Sequence, residues 1–385
     1  MTLPDGGRIA SLVSEHEVLI CCGSGGVGKT TIAAVLALEA ARQGRRTCVI
    51  TIDPAKRLAD ALGLETLSDA PSEIPRYRWD DDHSAKPDGD LAAMMLDTKS
   101  TFDRLVTGNA TTSEQAQRIL ENRFYRNVSG ALGGTQEYMA MEKLHELHDG
   151  GQFDLIVIDT PPTRHALDFL DAPRRLLRLL DNRIFRMLMM PTRAYLRVAS
   201  VAVQTFLRTV ARVVGSEAID DVVAFFRAFE GMEAGFRDRA VAVEALLAAP
   251  ETGFVLVTSP RRDAMEEAQF FARQLDRNGQ SIDALIVNRV HPQFGDEAPS
   301  GLRAAAAELA RAVDDPAAHR LAERYRNLAD FREIAELERA HVQGVQARVG
   351  ATTVAYVPYL SRDVYDFSAL REIGSLLFEP ADSRA

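Results

Sequence analysis

Short runs of apolar residues, many of them β-branched, recur along this chain of 385 residues. Each run is continuous and does not alternate with polar residues, which is typical of strands buried on both faces of a parallel sheet. Helical patterns separate the runs, and this alternation predicts an α/β fold with a doubly wound, mostly parallel sheet. We predict seven strands, at residues 18–22, 47–53, 92–96, 153–159, 253–259, 283–288 and 352–358.

Two long segments interrupt this rhythm. Residues 171–247 contain no strand candidate and show helical periodicity in Leu, Val, Phe and Met, while residues 302–349 form a more polar helical stretch. Because no Pro/Gly/Ser-rich linker divides the chain, we expect both to be helical insertions into one domain, 1–385. Residues 171–212 hold nine arginines and two acidic residues. The first insertion either packs against the sheet or exposes an apolar groove.

Composition narrows the classes of function. The formal net charge of −10 argues against a general affinity for nucleic acid, because binding to phosphate backbones requires a basic surface. The three cysteines, Cys21, Cys22 and Cys48, are too few for a disulfide framework or a four-thiolate metal site, and we expect them to be buried.

The N-terminus lacks a signal-peptide pattern and no apolar stretch is long enough to span a bilayer, so we expect a cytoplasmic protein. Trp79 and the acidic residues after it are expected to form a polar surface loop.

The segment Gly23–Thr30 reads Gly-Ser-Gly-Gly-Val-Gly-Lys-Thr and matches G-x-x-x-x-G-K-[ST] at every position, between a predicted strand and a predicted helix. The glycines let backbone N–H groups surround a β-phosphate, and the helix N-terminus adds a positive end. Lys29 reaches the phosphate oxygens and the Thr30 hydroxyl binds Mg²⁺ in this motif. We therefore predict a protein that hydrolyses Mg-ATP. Its predicted nucleotide contacts in this segment are Gly25, Gly26, Val27, Gly28, Lys29, Thr30 and Thr31.

Two aspartates close predicted strands: Asp53 ends the second and Asp159 ends the fourth. Ligands of open parallel sheets bind at the carboxyl ends of strands, so both aspartates are expected at the same crevice as the phosphate loop. Hydrolysis of ATP requires a carboxylate near the metal and a group that orients the attacking water. We predict Asp159 beside Mg²⁺ with Thr30, and Asp53 as the catalytic residue that acts with Lys29. Taken alone, each aspartate could instead be a helix cap.

Five segments, in chain order, carry a resemblance to a known family: GSGGVGKTT, IDPA, DLIVIDTPPTRHAL, VNRV and VPYL. Together they resemble the ArsA-type ATPases, which include arsenite-pump ATPases and the guided-entry targeting factors for tail-anchored membrane proteins. The glycine-rich loop is shared with the wider MinD/ParA and nitrogenase iron-protein class. The IDPA and DTPPTRH segments are much more specific to the ArsA type.

The resemblance implies further roles. Asp53 would orient water in switch I, and Asp159 would belong to switch II near Mg²⁺. Asn288 would contact the adenine, and the loop at Pro358 would flank it. The resemblance also implies a dimer, homomeric or heteromeric, that ATP closes, with residues 171–247 forming a groove for a hydrophobic client.

Departures from the family pattern limit what the resemblance implies. Ser24 stands where the family usually carries a lysine that reaches the partner's phosphates, and Lys56, Arg57 or Arg164 are candidate substitutes. The paired C-x-x-C of eukaryotic targeting factors is absent from the sequence, as are cysteines outside the predicted strands. An arsenite-type pump ATPase is therefore disfavoured.

We favour an ATP-driven switch that binds and releases a hydrophobic client, such as a tail-anchored membrane protein segment. The alternative is a MinD-like ATPase that acts at a membrane surface, for which the basic residues of the first insertion argue. A small-molecule kinase is disfavoured because the sequence shows no motif for an acceptor site.

Overall fold

A computed structural model describes residues 6–53, 57–80, 83, 85–86, 88–123, 125, 135–182, 221, 224–225, 228–311, 315–351 and 353–379. Within these ranges a central sheet is covered by helices on both faces. The predicted α/β fold is confirmed.

The strands are Val18–Gly23 (β1), Arg46–Thr51 (β2), Ser72–Glu73 (β3), Asp90–Met95 (β4), Leu155–Asp159 (β5), Thr252–Thr258 (β6), Ala284–Val290 (β7) and Thr353–Pro358 (β8). They form one sheet in the order β3-β4-β2-β5-β1-β6-β7-β8. Every neighbouring pair is parallel except β3 and β4. The seven predicted strands are confirmed as β1, β2 and β4–β8, and the short edge strand β3 was not predicted.

The α-helices of the described residues are Gly6–Glu15 (α1), Lys29–Arg42 (α2), Arg57–Ala61 (α3), Thr98–Asn109 (α4), Ser113–Leu120 (α5), Thr135–Asp149 (α6), Thr163–Asp181 (α7), Glu233–Ala248 (α8), Arg262–Arg277 (α9), Pro299–Leu309 (α10), Pro316–Val349 (α11) and Phe367–Phe378 (α12). Within the described ranges a 3₁₀ turn lies at Arg76–Arg78. Of the predicted helical stretch at 302–349, residues 302–309 and 316–349 are helical, as parts of α10 and α11. These two helices pack against each other.

Successive residues of β1 face opposite sides of the sheet, which explains why this strand is apolar at every position before Gly23. Leu19 and Cys21 lie in a buried cluster with residues of α1, α2 and α12. Ile20 and Cys22 lie in a second cluster, with residues of α6, α9 and α11. All three cysteines are buried and free, as predicted.

A third apolar cluster contains no strand residue. We call the helices that supply most of it, α4–α8, the helical layer. The buried members of the cluster are Leu105, Val106, Ala116, Ile119, Tyr125, Tyr138, Met139, Ala172, Leu180, Phe225, Phe229, Met232, Phe236 and Ala240. The described ends of the 171–247 segment therefore share a core with α4–α6, which the helical pattern of that segment does not predict. Residues 183–220, with most of the basic stretch, lie outside the described residues.

Trp79 corrects one expectation from the sequence. Its side chain is 1% exposed, and its Nε1 donates to the carbonyl of Ile74 at 3.0 Å. Asp80 is also buried and accepts from Nε of Arg76 at 2.9 Å. The prediction of a polar surface loop is wrong at these two positions. Burial of the large apolar indole of Trp79 is favourable when its N–H has a partner, and Arg76 pairs with the buried carboxylate of Asp80.

None of the helices in the described part of the chain is both long and apolar enough to cross a membrane.

Candidate active site

The phosphate loop leaves β1 at Gly23 and enters α2 at Lys29. Gly23 has a φ of 151°, and a Cβ there would lie 2.0 Å from the carbonyl oxygen of Val257. Gly28 precedes the helix with a φ of 97°, and a Cβ there would lie 2.3 Å from Nδ2 of Asn288. Both positions therefore require glycine, and the loop packs closely against residues at the ends of β6 and β7.

The first turn of α2 presents backbone donors at the end of this loop. The N–H of Ile32 donates to the carbonyl of Gly28 at 3.0 Å. The N–H groups of Lys29, Thr30 and Thr31 precede this bond and have no carbonyl one turn earlier in the helix. They are therefore directed to the site, where the helix N-terminus favours an anion.

Lys29 is 7% exposed, and its Nζ donates to the carbonyl of Ser24 at 2.9 Å across the loop. Burial lowers the pKa of Lys29, while the nearby carboxylate of Asp159 raises it. A desolvated ammonium binds an incoming anion strongly, which suits a contact to phosphate oxygens.

Asp159 is the centre of a buried polar cluster. Parallel pairing places it beside Cys21 of β1 and Thr51 of β2. Its Oδ2 accepts from the Thr30 hydroxyl at 2.7 Å and from the Thr51 hydroxyl at 3.0 Å. The structure thus brings together two residues predicted for the metal site, Thr30 and Asp159. It adds Thr51, which the sequence prediction missed.

The residues of this cluster fit Mg²⁺. Oδ1 of Asp159 is buried and has no hydrogen-bond partner among the described residues. Burial raises the pKa of Asp159 to about 6, although the Thr30 hydroxyl and Lys29 oppose this rise. Carboxylate and hydroxyl oxygens are the hard ligands that Mg²⁺ prefers, and a cation here would stabilise the buried charge. Thr30 and Asp159 are the residues that would hold it.

Asp53 lies two residues beyond the end of β2, and its backbone N–H donates to the Thr51 hydroxyl at 3.3 Å. Its carboxylate lies 3.7 Å from a guanidinium nitrogen of Arg57, and the Arg57 side chain is 62% exposed. The charge of Asp53 also contributes to raising the pKa of Lys29 and the pKa of Asp159. The structure therefore places this predicted catalytic residue beside the cluster, in the loop where a water-orienting residue is expected.

Asn288 and Arg289 at the end of β7 both hold the phosphate loop. Nδ2 of Asn288 donates to the carbonyl of Val27 at 2.8 Å, and Nη1 of Arg289 donates to the carbonyl of Gly26 at 2.9 Å. Asn288 is buried, and Arg289 is exposed. The sequence prediction included Asn288 but missed Arg289.

Pro358 ends β8, where it is paired with Val290 of β7. It borders a groove of about 400 Å³ together with Pro292, Tyr359 and Leu360. The structure thus places Pro358 and Asn288 on neighbouring strand ends, at the side of the phosphate loop away from Asp159. This is the region where the resemblance expects the adenine.

Of the three candidates for a substitute cation, one is described in full. Arg57 is paired with Asp53. Lys56 and the side chain of Arg164 lie outside the described residues. Ser24 itself is 8% exposed, and its hydroxyl has no hydrogen-bond partner among the described residues.

Known proteins resemble this chain along much of its length. It matches the family of anion-transporting ATPases, the ArsA type, over residues 16–306. It is 22% identical over 377 residues to an arsenical pump-driving ATPase of Aquifex aeolicus, an alignment that covers 95% of this chain and 80% of that protein. It is 29% identical over 280 residues to the uncharacterised protein SCO2128 of Streptomyces coelicolor, with 72% and 63% covered.

A shorter alignment joins the chain to the ATPase GET3 of Kluyveromyces lactis, with 29% identity over 181 residues. It covers 44% of this chain and 48% of that protein, so the chain spans about half the length of this relative. Because the family match includes the phosphate loop and extends over more than half of the chain, the protein belongs to the ArsA-type family of anion-transporting ATPases.

Proposed function

We propose that this protein is a Mg-ATP hydrolase that works as a dimeric, nucleotide-driven switch and binds and releases a hydrophobic client. A segment of a tail-anchored membrane protein is the client that the resemblance suggests. The observation that carries the proposal is the buried cluster of Thr30, Thr51 and Asp159 at the phosphate loop. Asp53 lies two residues after Thr51 in the chain, and its N–H donates to the Thr51 hydroxyl.

The phosphate side of the site supports the hydrolysis step. Gly25–Thr31 would bind the β- and γ-phosphates through backbone N–H groups, with Lys29 as the charged contact. When bound through Thr30 and Asp159, Mg²⁺ would neutralise phosphate charge and polarise the phosphoryl oxygens. Asp53 would orient the attacking water by accepting a hydrogen bond from its O–H.

A hydrogen bond joins the site to the helical layer. Nε2 of Gln136, in the first turn of α6, donates to the carbonyl of Ile52 at 3.0 Å, one residue before Asp53. Farther along α6, Tyr138 and Met139 belong to the cluster of the helical layer, while Met141 packs in the cluster against the sheet. A change at Asp53 that follows the nucleotide state would therefore reach the layer through α6, as a two-state switch requires.

The helical layer is the part of the molecule that suits a client. Its core is largely apolar and aromatic, and non-directional contacts of this kind tolerate repacking. Leu179 of α7 and Val241 of α8 are 50% and 52% exposed, so apolar groups also reach its surface. Residues 171–247 therefore stay our predicted client-binding segment.

An anion pump that binds arsenite is the less favoured function. Arsenite chemistry uses thiolates, as soft-metal binding does. All three cysteines are buried in strands, and burial raises the pKa of Cys22 and of Cys48 to about 12. These thiols therefore stay protonated and inaccessible to such a ligand.

The proposal is tested by trapping the client. The Asp53→Asn variant should bind Mg-ATP within about threefold of the wild-type affinity and lose at least about 100-fold in turnover, because the loop geometry stays and the water loses its charged carboxylate partner. The tagged variant is purified in Mg-ATP, with wild type in Mg-ADP as the matched control, and copurifying proteins are identified by mass spectrometry.

Enrichment of proteins that end in one apolar helix, in the ATP-trapped variant over the control, supports the proposed client. A related ATPase at equal stoichiometry makes the dimer heteromeric. Recovery of neither, combined with ATP-dependent flotation on anionic liposomes, would replace the client with a membrane surface. Unchanged turnover in the variant would remove Asp53 from the mechanism.

A further inference from the structure

The chain leaves β7 through an irregular step at Arg289. Pairing between β7 and β8 shifts register between Asn288 and Val290, so Arg289 is an extra residue in the ladder. Its φ is 61°, a left-handed conformation that a residue with a Cβ rarely adopts. Its N–H donates to Oδ1 of Asn288 at 2.9 Å, which holds this backbone in place. A strained, exposed arginine at a site edge calls for an explanation in function.

The side chains of this step bind two successive carbonyls of the phosphate loop. Arg289 donates to the oxygen of Gly26, and Asn288 donates to the oxygen of Val27. Both donors belong to β7, so both bonds hold the loop toward this strand. Arg289 is exposed, so its contact with the loop is not a by-product of core packing.

The geometry of the peptide bond determines where the N–H groups that follow these two carbonyls point. In a planar trans peptide the C=O and the following N–H point in opposite directions. When the oxygens of Gly26 and Val27 are held toward β7, the N–H groups of Val27 and Gly28 point away from β7, into the loop. Those N–H groups are among the donors that would surround a β-phosphate.

We propose that Arg289 is a positioning residue that holds the Gly26–Val27 peptide in the orientation that binds phosphate. The guanidinium adds a charge-assisted hydrogen bond to a neutral carbonyl, which also makes the N–H of that peptide a stronger donor. This inference rests on the proposed function, because it concerns the nucleotide phosphates. Arg289 is also a second cationic side chain in contact with the loop, besides Lys29. The loop carries Ser24 where the family usually has a lysine.

The test uses two variants at Arg289 and one matched control. Arg289→Gly removes the guanidinium and accommodates the positive φ, while Arg289→Lys keeps a cationic donor that can reach the Gly26 carbonyl. His83 is the other described non-glycine residue with a positive φ, 54°, and lies in the connection that precedes β4. His83→Gly therefore relieves the same kind of strain without changing the phosphate loop.

We expect Arg289→Gly to weaken Mg-ADP binding and to raise KM for ATP about 10-fold, which is about 1.4 kcal/mol. Its kcat should stay within about threefold, because the geometry of water attack is set elsewhere. Its Tm without nucleotide should stay equal or rise, because glycine adopts the left-handed conformation without strain. His83→Gly should share the effect on Tm and leave the Mg-ADP affinity unchanged. Arg289→Lys should recover most of the affinity.

Inorganic pyrophosphate, used as a competitor of labelled ADP, separates the phosphate role from a contact with the base or ribose. The Arg289→Gly loss should be about equal for ADP and for pyrophosphate. A loss confined to ADP, an affinity within twofold of wild type, or a lysine variant as weak as the glycine variant would overturn the inference. Wild-type protein that binds neither Mg-ATP nor Mg-ADP would instead remove the proposed function itself.

Discussion

The carboxyl edge of the sheet and the helical layer are built by different kinds of contact. At the edge, directional bonds of 2.7–3.0 Å join Thr30 and Thr51 to one buried carboxylate, Asp159. In the helical layer the buried core is mostly apolar, with ring centroids 4.7 Å apart for Phe229 and Phe236 and 5.6 Å apart for Phe225 and Phe229, although the Gln115 side chain also donates to the carbonyl of Ala228 at 2.8 Å. The edge is organised around hydrogen bonds to one carboxylate, whereas the layer mainly buries apolar area.

This difference matches the two tasks of the proposed nucleotide switch. Chemistry on phosphates depends on hydrogen-bond geometry that fails when a donor moves by an ångström. Binding of varied apolar segments depends on non-directional contacts that tolerate repacking. The Gln136 hydrogen bond to Ile52 joins the two regions at the loop that carries Asp53. Substitutions in one region should therefore act on one task first.

The largest effect is expected from Lys29→Ala. We expect a loss of about 10³-fold in kcat/KM for ATP, because the lysine that contacts the phosphates in the proposed mechanism is removed. The helical layer should stay folded, with the far-UV circular dichroism of wild type. Lys99→Ala is the control, since Lys99 lies on α4 and pairs with Asp103. A similar loss of activity in both variants would contradict the separation of the two regions.

Phe236→Ala should have the opposite selectivity. Phe236 is 2% exposed in the core of the helical layer, and its removal should lower stability by about 3–5 kcal/mol. Thermal unfolding should show the loss, while isothermal titration should show Mg-ADP affinity within about threefold of wild type. Phe271→Ala is the matched control, because Phe271 is equally buried in the cluster against the sheet. If Phe271→Ala spares nucleotide binding and Phe236→Ala destroys it, the comparison fails.

Asp159→Asn sharpens the comparison through pH. The pKa of Asp159 is about 6 in the folded protein and 3.8 as the ordinary value, so the folded protein binds the proton more tightly. Without nucleotide or metal, wild-type stability should therefore fall as the pH rises from about 4 to about 6 and stay low above this. The variant lacks this charge and should be more stable above pH 6, by up to about 3 kcal/mol at about 1.4 kcal/mol per pKa unit.

The matched control, Asp154→Asn, should change the stability in the opposite direction. The hydrogen bond from Arg46 lowers the pKa of Asp154, so Asp154→Asn should slightly destabilise the protein above pH 4. The effect should be small because this pair is partly exposed. Chemical unfolding of both variants between pH 4 and pH 8 measures the difference. A wild-type protein that gains stability between pH 4 and pH 6 relative to Asp159→Asn would contradict the assignment of a costly buried charge.

Much of the edge could be predicted from the sequence because it is local. Continuous apolar runs mark seven strands, and the phosphate loop has a spacing that few other structures share. Thr51 was missed because a threonine is ordinary in a β-branched strand, and its role depends on the pairing of β2 with β5. Arg289 was missed because its role depends on a positive φ and a register shift, which the residue types do not encode.

The helical layer was predicted less well because its core is non-local. Val106 of α4 and Phe236 of α8 meet in one cluster although strand β5 lies between their helices in the chain. Helical periodicity shows which face of a helix is apolar but not which distant helix covers it. Trp79 was misjudged for a related reason: its acidic neighbours suggested exposure, while its burial depends on the residues packed over the indole.

Amide hydrogen exchange of the Asp53→Asn variant tests the central claim most directly, namely that the nucleotide at the sheet edge changes the helical layer. The exchange is compared in Mg-ATP and in Mg-ADP, with Gln136→Ala added to Asp53→Asn as the control that breaks the bond to Ile52. We predict that protection in α6, α7 and α8 differs between the two nucleotides and that the added substitution reduces this difference. A difference confined to the phosphate loop and the residues around Asp53, with the helical layer unchanged, would contradict the account.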